Sequence, residues 1–131
     1  MSYLLDTNIC IGLLKGEDKP LAKKIQEMSP SDFFLCSVVK GELFYGARKS
    51  QRVEENMKLL AGFFSQFDSL PFDDRAAEFY GTLRAILVKA GTPVGANDML
   101  IAGIAMSHDL TLVSRNRREF QFIPGLRLEG W

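Results

Sequence analysis

The segment YLLDTN, residues 3–8, contains the junction that decides the fold. Its apolar half, Tyr3–Leu5, is predicted to be a short strand, and its polar half consists of residue types that favour turns and helix caps. A helix is predicted from there to Leu14, because Gly16 follows as a helix terminator. The sequence therefore predicts a strand that passes directly into a helix, with Asp6 where the strand ends.

The same alternation continues along the chain. Helices are predicted between the strands, and the helix at Ala96–Ser107 is apolar almost all round, which indicates that it is buried. Residues 114–119 are predicted to be a polar loop. This pattern predicts an α/β fold, a three-layer α/β/α domain with a mostly parallel sheet of roughly four to five strands. The later strands are predicted at Phe33–Val39, Ser69–Phe72, Thr111–Ser114 and, at an edge, Leu126–Leu128.

Composition limits the classes of function. The 131 residues fit one domain, residues 1–131, and a hydrophobic content of 47% is enough for a buried core. No apolar run approaches the ~20 residues of a membrane span, so a soluble, cytoplasmic protein without a membrane partner is expected. Sixteen basic residues balance sixteen acidic ones, so a nucleic-acid surface has to be a local patch. The single histidine, His108, lies at a predicted helix end, which argues against a catalytic triad and favours carboxylates with a metal ion.

Acidic side chains are predicted to meet at one edge of the sheet. Asp6 ends the first strand, Glu42 lies about one turn into the helix after the second, and Asp98 opens a helix antiparallel to the strand that follows. Asn116 and Glu119 come directly after that strand. Because working residues of parallel α/β sheets gather at the carboxyl ends of the strands, these residues are expected at the same edge.

Such a cluster predicts a site for a divalent cation. Neighbouring carboxylates repel and raise one another's pKa unless a cation compensates, and oxygen ligands favour magnesium or manganese over zinc. Taken singly, each acid also has a structural interpretation: Asp6 as a turn or cap residue, Asp98 as a partner of the helix dipole, and Glu42 as a solvated helix residue. Their convergence favours a shared site, with Mg²⁺ as the cofactor and Mn²⁺ as its substitute.

Four motifs spread over the chain resemble those of the PIN-domain family, and most of all the VapC toxins of VapBC toxin–antitoxin pairs. They are LDTN at residues 5–8, ELFYGA at 42–47, GTPVGAND at 91–98, and LVSRN at 112–116 with REF at 118–120. The resemblance runs from Tyr3 to Trp131. It implies a PIN-like fold and a magnesium-dependent endoribonuclease that cleaves RNA, often structured RNA such as tRNA, and so inhibits translation and growth. It also implies a homodimer and a cognate VapB-type antitoxin whose C-terminal segment lies across the active-site groove.

The resemblance also assigns roles to individual residues. The invariant acids of the family, which are catalytic and bind the metal ion, fall on Asp6, Glu42 and Asp98. The fourth acidic position of many PIN domains falls on Asn116, which adds no charge and weakens the case for a second metal ion. Glu119, three residues further on, is predicted either to supply that carboxylate or to have a plain turn-to-helix role.

Further residues are expected to support the site and to hold RNA. Thr7 is expected to support Asp6 by a hydrogen bond, and Ser114 is expected to do the same at the edge of the site. Basic side chains near the metal ion would attract phosphate, with a solvated charged face as the alternative for each of them. The RNA-binding candidates are Arg48, Lys49 and Arg52 after the helix that carries Glu42, and Arg115, Arg117 and Arg118 around Asn116.

Two rival hypotheses remain open at this point. A phospho-receiver domain is also an α/β domain with an acidic magnesium pocket, but it requires paired acids near the first strand, whereas Leu4 and Leu5 precede a lone Asp6 here. A catalytically inactive PIN scaffold that binds RNA or protein is the second rival. The intact acids argue against it, and cleavage of RNA that is lost in Asp6→Asn would exclude it.

Overall fold

A parallel five-stranded sheet forms the centre of the computed structural model, which describes residues 1–131. The strands are hydrogen-bonded in the order β3-β2-β1-β4-β5, and every neighbouring pair is parallel. The predicted α/β fold with a mostly parallel sheet is thereby confirmed. The strands are β1 (Tyr3–Leu5), β2 (Phe33–Cys36), β3 (Asp68–Leu70), β4 (Thr111–Val113) and β5 (Leu128–Glu129).

Seven α-helices connect the strands, together with one short 3-10 helix. Their ends carry the residues that local physics favours. Asp6, Asp18 and Asp73 accept hydrogen bonds from backbone amides as N-caps, and Gly16 and Gly91 end their helices in the left-handed conformation. The helices are α1 (Thr7–Lys15), α2 (Lys19–Gln26), α3 (Ser37–Arg48), α4 (Val53–Phe64), α5 (Asp74–Ala90), α6 (Ala96–Ser107) and α7 (Arg117–Phe120), with the 3-10 helix at Pro30–Asp32.

The hydrophobic core surrounds the middle of the sheet. All residues of β1 and β4 are buried, which requires protein layers on both faces because successive side chains of a strand point to opposite sides. Helix α6 is buried along most of its length, as predicted. Gly103 brings α6 against α5 so closely that an added Cβ would lie 2.9 Å from the carbonyl oxygen of Ala76. None of the helices combines the length and the apolar character that crossing a membrane requires.

Two predicted strands end earlier than expected. The strand predicted at Phe33–Val39 stops at Cys36, because Ser37 begins α3 and Val39 is fully buried on a face of that helix. The strand predicted at Ser69–Phe72 is Asp68–Leu70, because Pro71 has no amide with which to continue the ladder.

The segment after β4 also departs from the prediction. Residues 114–119 were expected to be a loop, but Arg117–Phe120 forms α7, which turns Phe120 into the core. The last strand is an edge strand, as predicted, although it lies at Leu128–Glu129 and not at Leu126–Leu128. The short helix after β4 changes where its acidic residue points, and this affects the site described next.

Strand order determines where a site can form. The chain moves outward from β1 to β2 and β3 on one side, then returns to place β4 and β5 on the other side. The order therefore reverses between β1 and β4, and a crevice opens at the carboxyl ends of these neighbouring strands. Asp6 follows β1, and Ser114 follows β4, so both lie at the mouth of this crevice.

Candidate active site

Asp6 lies at the base of the crevice, at the junction of β1 and α1. Its backbone amide donates to the carbonyl oxygen of Val113 at 3.1 Å, which continues the ladder between β1 and β4. Its side chain is only 6% exposed and accepts a hydrogen bond of 3.0 Å from the amide of Ile9. The predicted junction of strand and helix thus holds the Asp6 carboxylate in one orientation and largely shields it from water.

Glu42 reaches the site from the second turn of α3. The hydroxyl of Thr7 donates to its Oε1 at 3.0 Å, which joins the first turn of α1 to α3. Thr7 therefore supports Glu42, and not Asp6 as the sequence had led us to expect. The reason is geometric: the Asp6 carboxylate is turned toward the amide of Ile9 as a helix cap, and the hydroxyl of the next residue faces the neighbouring helix.

Asp98 enters the site from the first turn of α6, as predicted. Its Oδ2 accepts a hydrogen bond of 3.1 Å from the side-chain amide of Asn116. The backbone amide of Asn116 in turn donates to the hydroxyl oxygen of Ser114 at 3.0 Å. The Ser114 side chain also acts on Asp6, whose pKa it lowers. Asn116 acts as a hydrogen-bond donor that orients an acid, since it offers an N–H where another carboxylate would only repel.

Glu119 comes from α7 and lies against Asp98. The two carboxyl groups shift each other's pKa, and a Cβ added to Gly95, just before α6, would lie 3.6 Å from Oε2 of Glu119. Glu119 lies on the short helix after β4 with its carboxylate beside Asp98, so its role as the additional carboxylate stays a prediction that this position allows. The position of α7, which is fixed by burial of Phe120, brings Glu119 there.

Burial and like charge raise the pKa of two acids in this cluster. Burial raises the pKa of Asp6, although hydrogen bonds from Ser114 and the Ile9 amide oppose the rise. Burial also raises the pKa of Asp98 to about 7, and Glu119 adds to the rise through its hydrogen bond and its charge. The same contact lowers the pKa of Glu119. The charges of Glu42 and Asp6 act on Asp98 as well, so these acids share one electrostatic environment.

The chemistry of this cluster fits a hard divalent cation. It offers oxygen donors, and the raised pKa values of Asp6 and Asp98 mean that added positive charge would be favourable. The structure contains no group of three or more acidic, histidine or cysteine side chains arranged to hold a metal ion. The acids therefore lie at the same end of the sheet without forming a complete metal-coordination site. The predicted ligand set of Asp6, Glu42 and Asp98 stays a prediction.

The basic candidates lie in two places. Arg117 and Arg118 are exposed on α7, close to Asn116. Arg115 is also exposed, but its guanidinium forms an ion pair of 2.6 Å with Asp18 and donates to the backbone oxygen of Trp131. The remaining candidates lie at and beyond the C-terminal end of α3. At ~1.5 Å per residue along the helix, this is about 9 Å or more from Glu42. These are Arg48, Lys49, whose Nζ lies 5.0 Å from the ring centre of Tyr45, and Arg52, which pairs with Glu55 at 3.5 Å.

Two features beside the site carry no local signal in the sequence. One is the pairing of Arg115 with Asp18, which joins residues from nearly opposite ends of the chain. The other is an apolar groove of about 480 Å³ that begins at Glu42 and runs between α1, α3 and α4. Its lining residues include Ile11, Leu14, Leu43, Ala47, Leu59 and Leu60. Helical spacing predicts apolar faces for these helices, but not the space left between them.

The chain is similar along its whole length to known ribonucleases. The PIN domain family model matches residues 3–125. The tRNA(fMet)-specific endonuclease VapC of Salmonella typhimurium is 40% identical over 131 residues, which cover 100% of this chain and 98% of the relative. Ribonuclease VapC2 of Rickettsia felis is 36% identical over 132 residues, with the same coverage of 100% and 98%.

A solved structure agrees with this assignment. The crystal structure of VapBC2 from Rickettsia felis bound to a DNA fragment from their promoter superposes with a TM-score of 0.94 at 35% identity. The match covers 100% of this chain and 99% of that chain. The chain therefore belongs to the PIN domain family and, within it, to the VapC ribonucleases.

Proposed function

We propose that this chain is a magnesium-dependent endoribonuclease that cleaves structured RNA, in particular tRNA, as the toxin of a type II toxin–antitoxin pair in the cytoplasm. The observation that carries the proposal is that Asp98, where the order of the parallel sheet reverses, has its pKa raised by the charges of Glu119, Glu42 and Asp6. Membership of the VapC ribonucleases sets the reaction class. The name of the tRNA(fMet)-specific relative supports tRNA as the substrate class.

The acids at this edge would hold the cofactor. Asp6, Glu42 and Asp98 would bind Mg²⁺, with Mn²⁺ as its substitute, and Glu119 would supply the carboxylate that is absent at Asn116. A cation bound there supplies positive charge against the phosphodiester and lowers the pKa of a water that attacks it. The oxygen donors and the raised pKa of Asp98 support this assignment.

The residues of the chain orient these groups before any substrate arrives. The Ile9 amide fixes Asp6, the Thr7 hydroxyl fixes Glu42, and the Asn116 amide fixes Asp98. Preorganised polar groups of this kind lose little energy to rearrangement during the reaction. Because the pKa of Asp98 is raised to about 7, its carboxyl group can accept or donate a proton inside the site around neutral pH.

Contacts with RNA would come from α7. Arg117 and Arg118 lie beside Asn116, so their guanidinium groups can attract phosphates that flank the scissile bond. Arg48, Lys49 and Arg52 would extend this contact along α3, at a greater distance from the acids. Each substitution of a phosphate-contacting arginine would weaken RNA binding and reduce its salt dependence by a slope of about one.

The chain is further proposed to form a homodimer and to bind a VapB-type antitoxin. The apolar groove beside Glu42 offers a place for apolar side chains of a partner segment, and a segment seated there would lie next to the acids and exclude RNA. The VapBC complexes of Rickettsia felis and Salmonella typhimurium, similar at TM-scores of 0.94 and 0.93, support an antitoxin as the partner.

A cleavage assay with purified chain tests this function. We expect cleavage of tRNA(fMet) in Mg²⁺ or Mn²⁺, no cleavage in EDTA, and loss of activity by about a thousandfold in Asp6→Asn. Asp68→Asn, which replaces an exposed acid on the edge strand β3, is the matched control and should keep full activity. RNA binding without cleavage in either metal ion, unchanged by Asp6→Asn, would instead identify an inactive scaffold.

A further inference from the structure

We propose that Trp131, Arg115 and Asp18 form a clasp that positions the loop after β4, and through it two acids of the active site. The clasp is defined by the side chain of Arg115, which contacts the Asp18 carboxylate and the backbone oxygen of Trp131 at the same time. The inference rests on the proposed ribonuclease function, because its main consequence is a change in the rate of RNA cleavage.

The clasp holds the loop of residues 114–116. The two residues on either side of Arg115 in this loop, Ser114 and Asn116, are part of the site. The side-chain amide of Asn116 donates to Asp98 at 3.1 Å, and the Ser114 side chain lowers the pKa of Asp6. Arg115 lies between them in the chain, and its guanidinium pairs with Asp18 while its charge also lowers the pKa of Asp6. A small displacement of Arg115 would therefore move the partners of both acids together.

Besides the contact of Arg115 with Trp131, three contacts hold this loop from outside the site. The amide of Ser114 donates to the carbonyl oxygen of Glu129 at 2.9 Å, which pairs the loop with β5. An ion pair of 2.6 Å joins Arg115 to Asp18 at the start of α2. Gly130 packs against the loop so closely that an added Cβ would lie 3.3 Å from the Ser114 carbonyl oxygen. The segment after β5 thus lies directly on the loop.

Trp131 anchors that segment to the sheet. Its ring packs edge-on against Tyr3 and Phe33, with ring centres 4.8 Å and 5.8 Å away. The ammonium group of Lys24 lies 4.8 Å from the centre of the tryptophan ring, which adds a cation–π contact from α2. Because Tyr3 and Phe33 belong to the buried strands β1 and β2, the clasp is fixed to the rigid part of the fold.

The structure separates this role from direct RNA binding by Arg115. An arginine that binds phosphate would bind RNA no less well once Asp18 is neutralised, because its guanidinium would be free. A positioning arginine would lose its effect in the same substitution. Asp18→Asn therefore distinguishes the two roles, and asparagine keeps the N-cap that Asp18 provides to the amide of Leu21.

The test compares Arg115→Gln, Asp18→Asn and their double variant in steady-state cleavage of tRNA. We expect kcat to fall about tenfold or more in each, with KM and its salt dependence unchanged, since a misplaced catalytic group lowers the rate without weakening binding. The double variant should be no slower than either single variant. Arg127→Gln is the matched control. Arg127 also forms an exposed ion pair, with the carboxylate of Asp109 at 2.9 Å, and donates to the backbone oxygen of Asp109, but it lies at the amino ends of the strands, away from the acids.

The result that overturns the proposal is a kcat in Arg115→Gln and Asp18→Asn equal to that of the Arg127→Gln control. A raised KM and a flatter salt dependence in Arg115→Gln alone would also overturn it, and would assign Arg115 to RNA binding. Thermal unfolding of all variants, including Trp131→Ala, identifies any variant that fails to fold. If Trp131→Ala fails to fold, Arg115→Gln and Asp18→Asn, which change an exposed ion pair, still test the proposal.

Hydrogen exchange keeps the clasp testable apart from the enzyme activity. The amides of Ser114 and Asn116 are hydrogen-bonded, so their exchange should become at least about tenfold faster in Arg115→Gln and Asp18→Asn and stay unchanged in Arg127→Gln. Unchanged exchange would contradict the clasp. Absence of cleavage by the unmodified chain would instead contradict the proposed function, whatever the exchange rates show.

Discussion

Replacing Asp98 with asparagine is expected to stabilise the metal-free protein while it abolishes RNA cleavage. Asp98 is half-buried, and burial together with Glu119 raises its pKa from 3.8 to about 7. Asparagine has the shape of the protonated acid without its ionisable proton. Its amide can donate to Glu119 while its oxygen accepts from Asn116, so the variant keeps the hydrogen bonds of the site and avoids the cost of ionisation.

The sign of the effect depends on pH. Because the folded protein binds this proton more tightly than the unfolded chain, the stabilising effect of Asp98 is complete below pH 3.8 and is lost as the pH rises through about 7. The rise from 3.8 to about 7 would correspond to roughly 4 kcal/mol for a fully buried group. Solvent screening of the half-exposed carboxyl and the opposite shift of Glu119 reduce this to about 1–2 kcal/mol.

Urea unfolding in EDTA at pH 4, 6 and 8 measures this difference. The free energy of unfolding of Asp98→Asn should equal that of the unmodified chain near pH 4 and exceed it by about 1–2 kcal/mol at pH 8. Asp74→Asn is the matched control, since Asp74 also lies in the first turn of a helix but is exposed. Equal stabilities at pH 8, or a loss of the size seen in Asp74→Asn, would refute the reasoning.

Further substitutions test other parts of the structure. Thr7→Val removes the hydroxyl that donates to Glu42 and should lower kcat about tenfold or more in the tRNA assay; an unchanged kcat would contradict this support. Thr111→Val removes a buried hydroxyl without a hydrogen-bond partner and should raise the free energy of unfolding by about 1 kcal/mol. A lower free energy of unfolding, measured with urea, would contradict the prediction. Gly103→Ala should lower the free energy of unfolding by about 2 kcal/mol, because the new Cβ would lie 2.9 Å from a backbone oxygen of α5. Gly62→Ala, in an open helical position, should not lower it, and equal effects of the two alanines would refute the close packing.

The positions of the main acids could be predicted from the sequence because topology alone determines them. Once short apolar segments are taken as parallel strands, Asp6 must lie at the carboxyl end of β1, and the start of α6 must place Asp98 at the same edge. Glu42 follows from its distance into α3. These inferences use only the direction of each element, so errors of a few residues at strand ends did not affect them.

The partners of these acids could not be predicted, because they depend on side-chain directions and on contacts between distant segments. The hydroxyl of Thr7 contacts Glu42 across two helices, and Arg115 contacts Asp18 across most of the chain. Neither contact has a local signature such as helical spacing. The place of Glu119 depended on whether residues 117–120 formed a helix, which in turn depended on the burial of Phe120.

The arrangement of Asn116 and Glu119 gives a physical reason for an amide at position 116. A carboxylate at position 116 would face Asp98 without a donor and would raise its pKa further. The amide instead donates to Asp98, and the additional negative charge is carried by Glu119, which raises the pKa of the same group. In the metal-free site the repulsion between these acids is thus offset by the hydrogen bond from Asn116 and by the proton that the raised pKa of Asp98 favours. Because a divalent cation would compete with that proton, its affinity for the site should increase as the pH rises toward about 7.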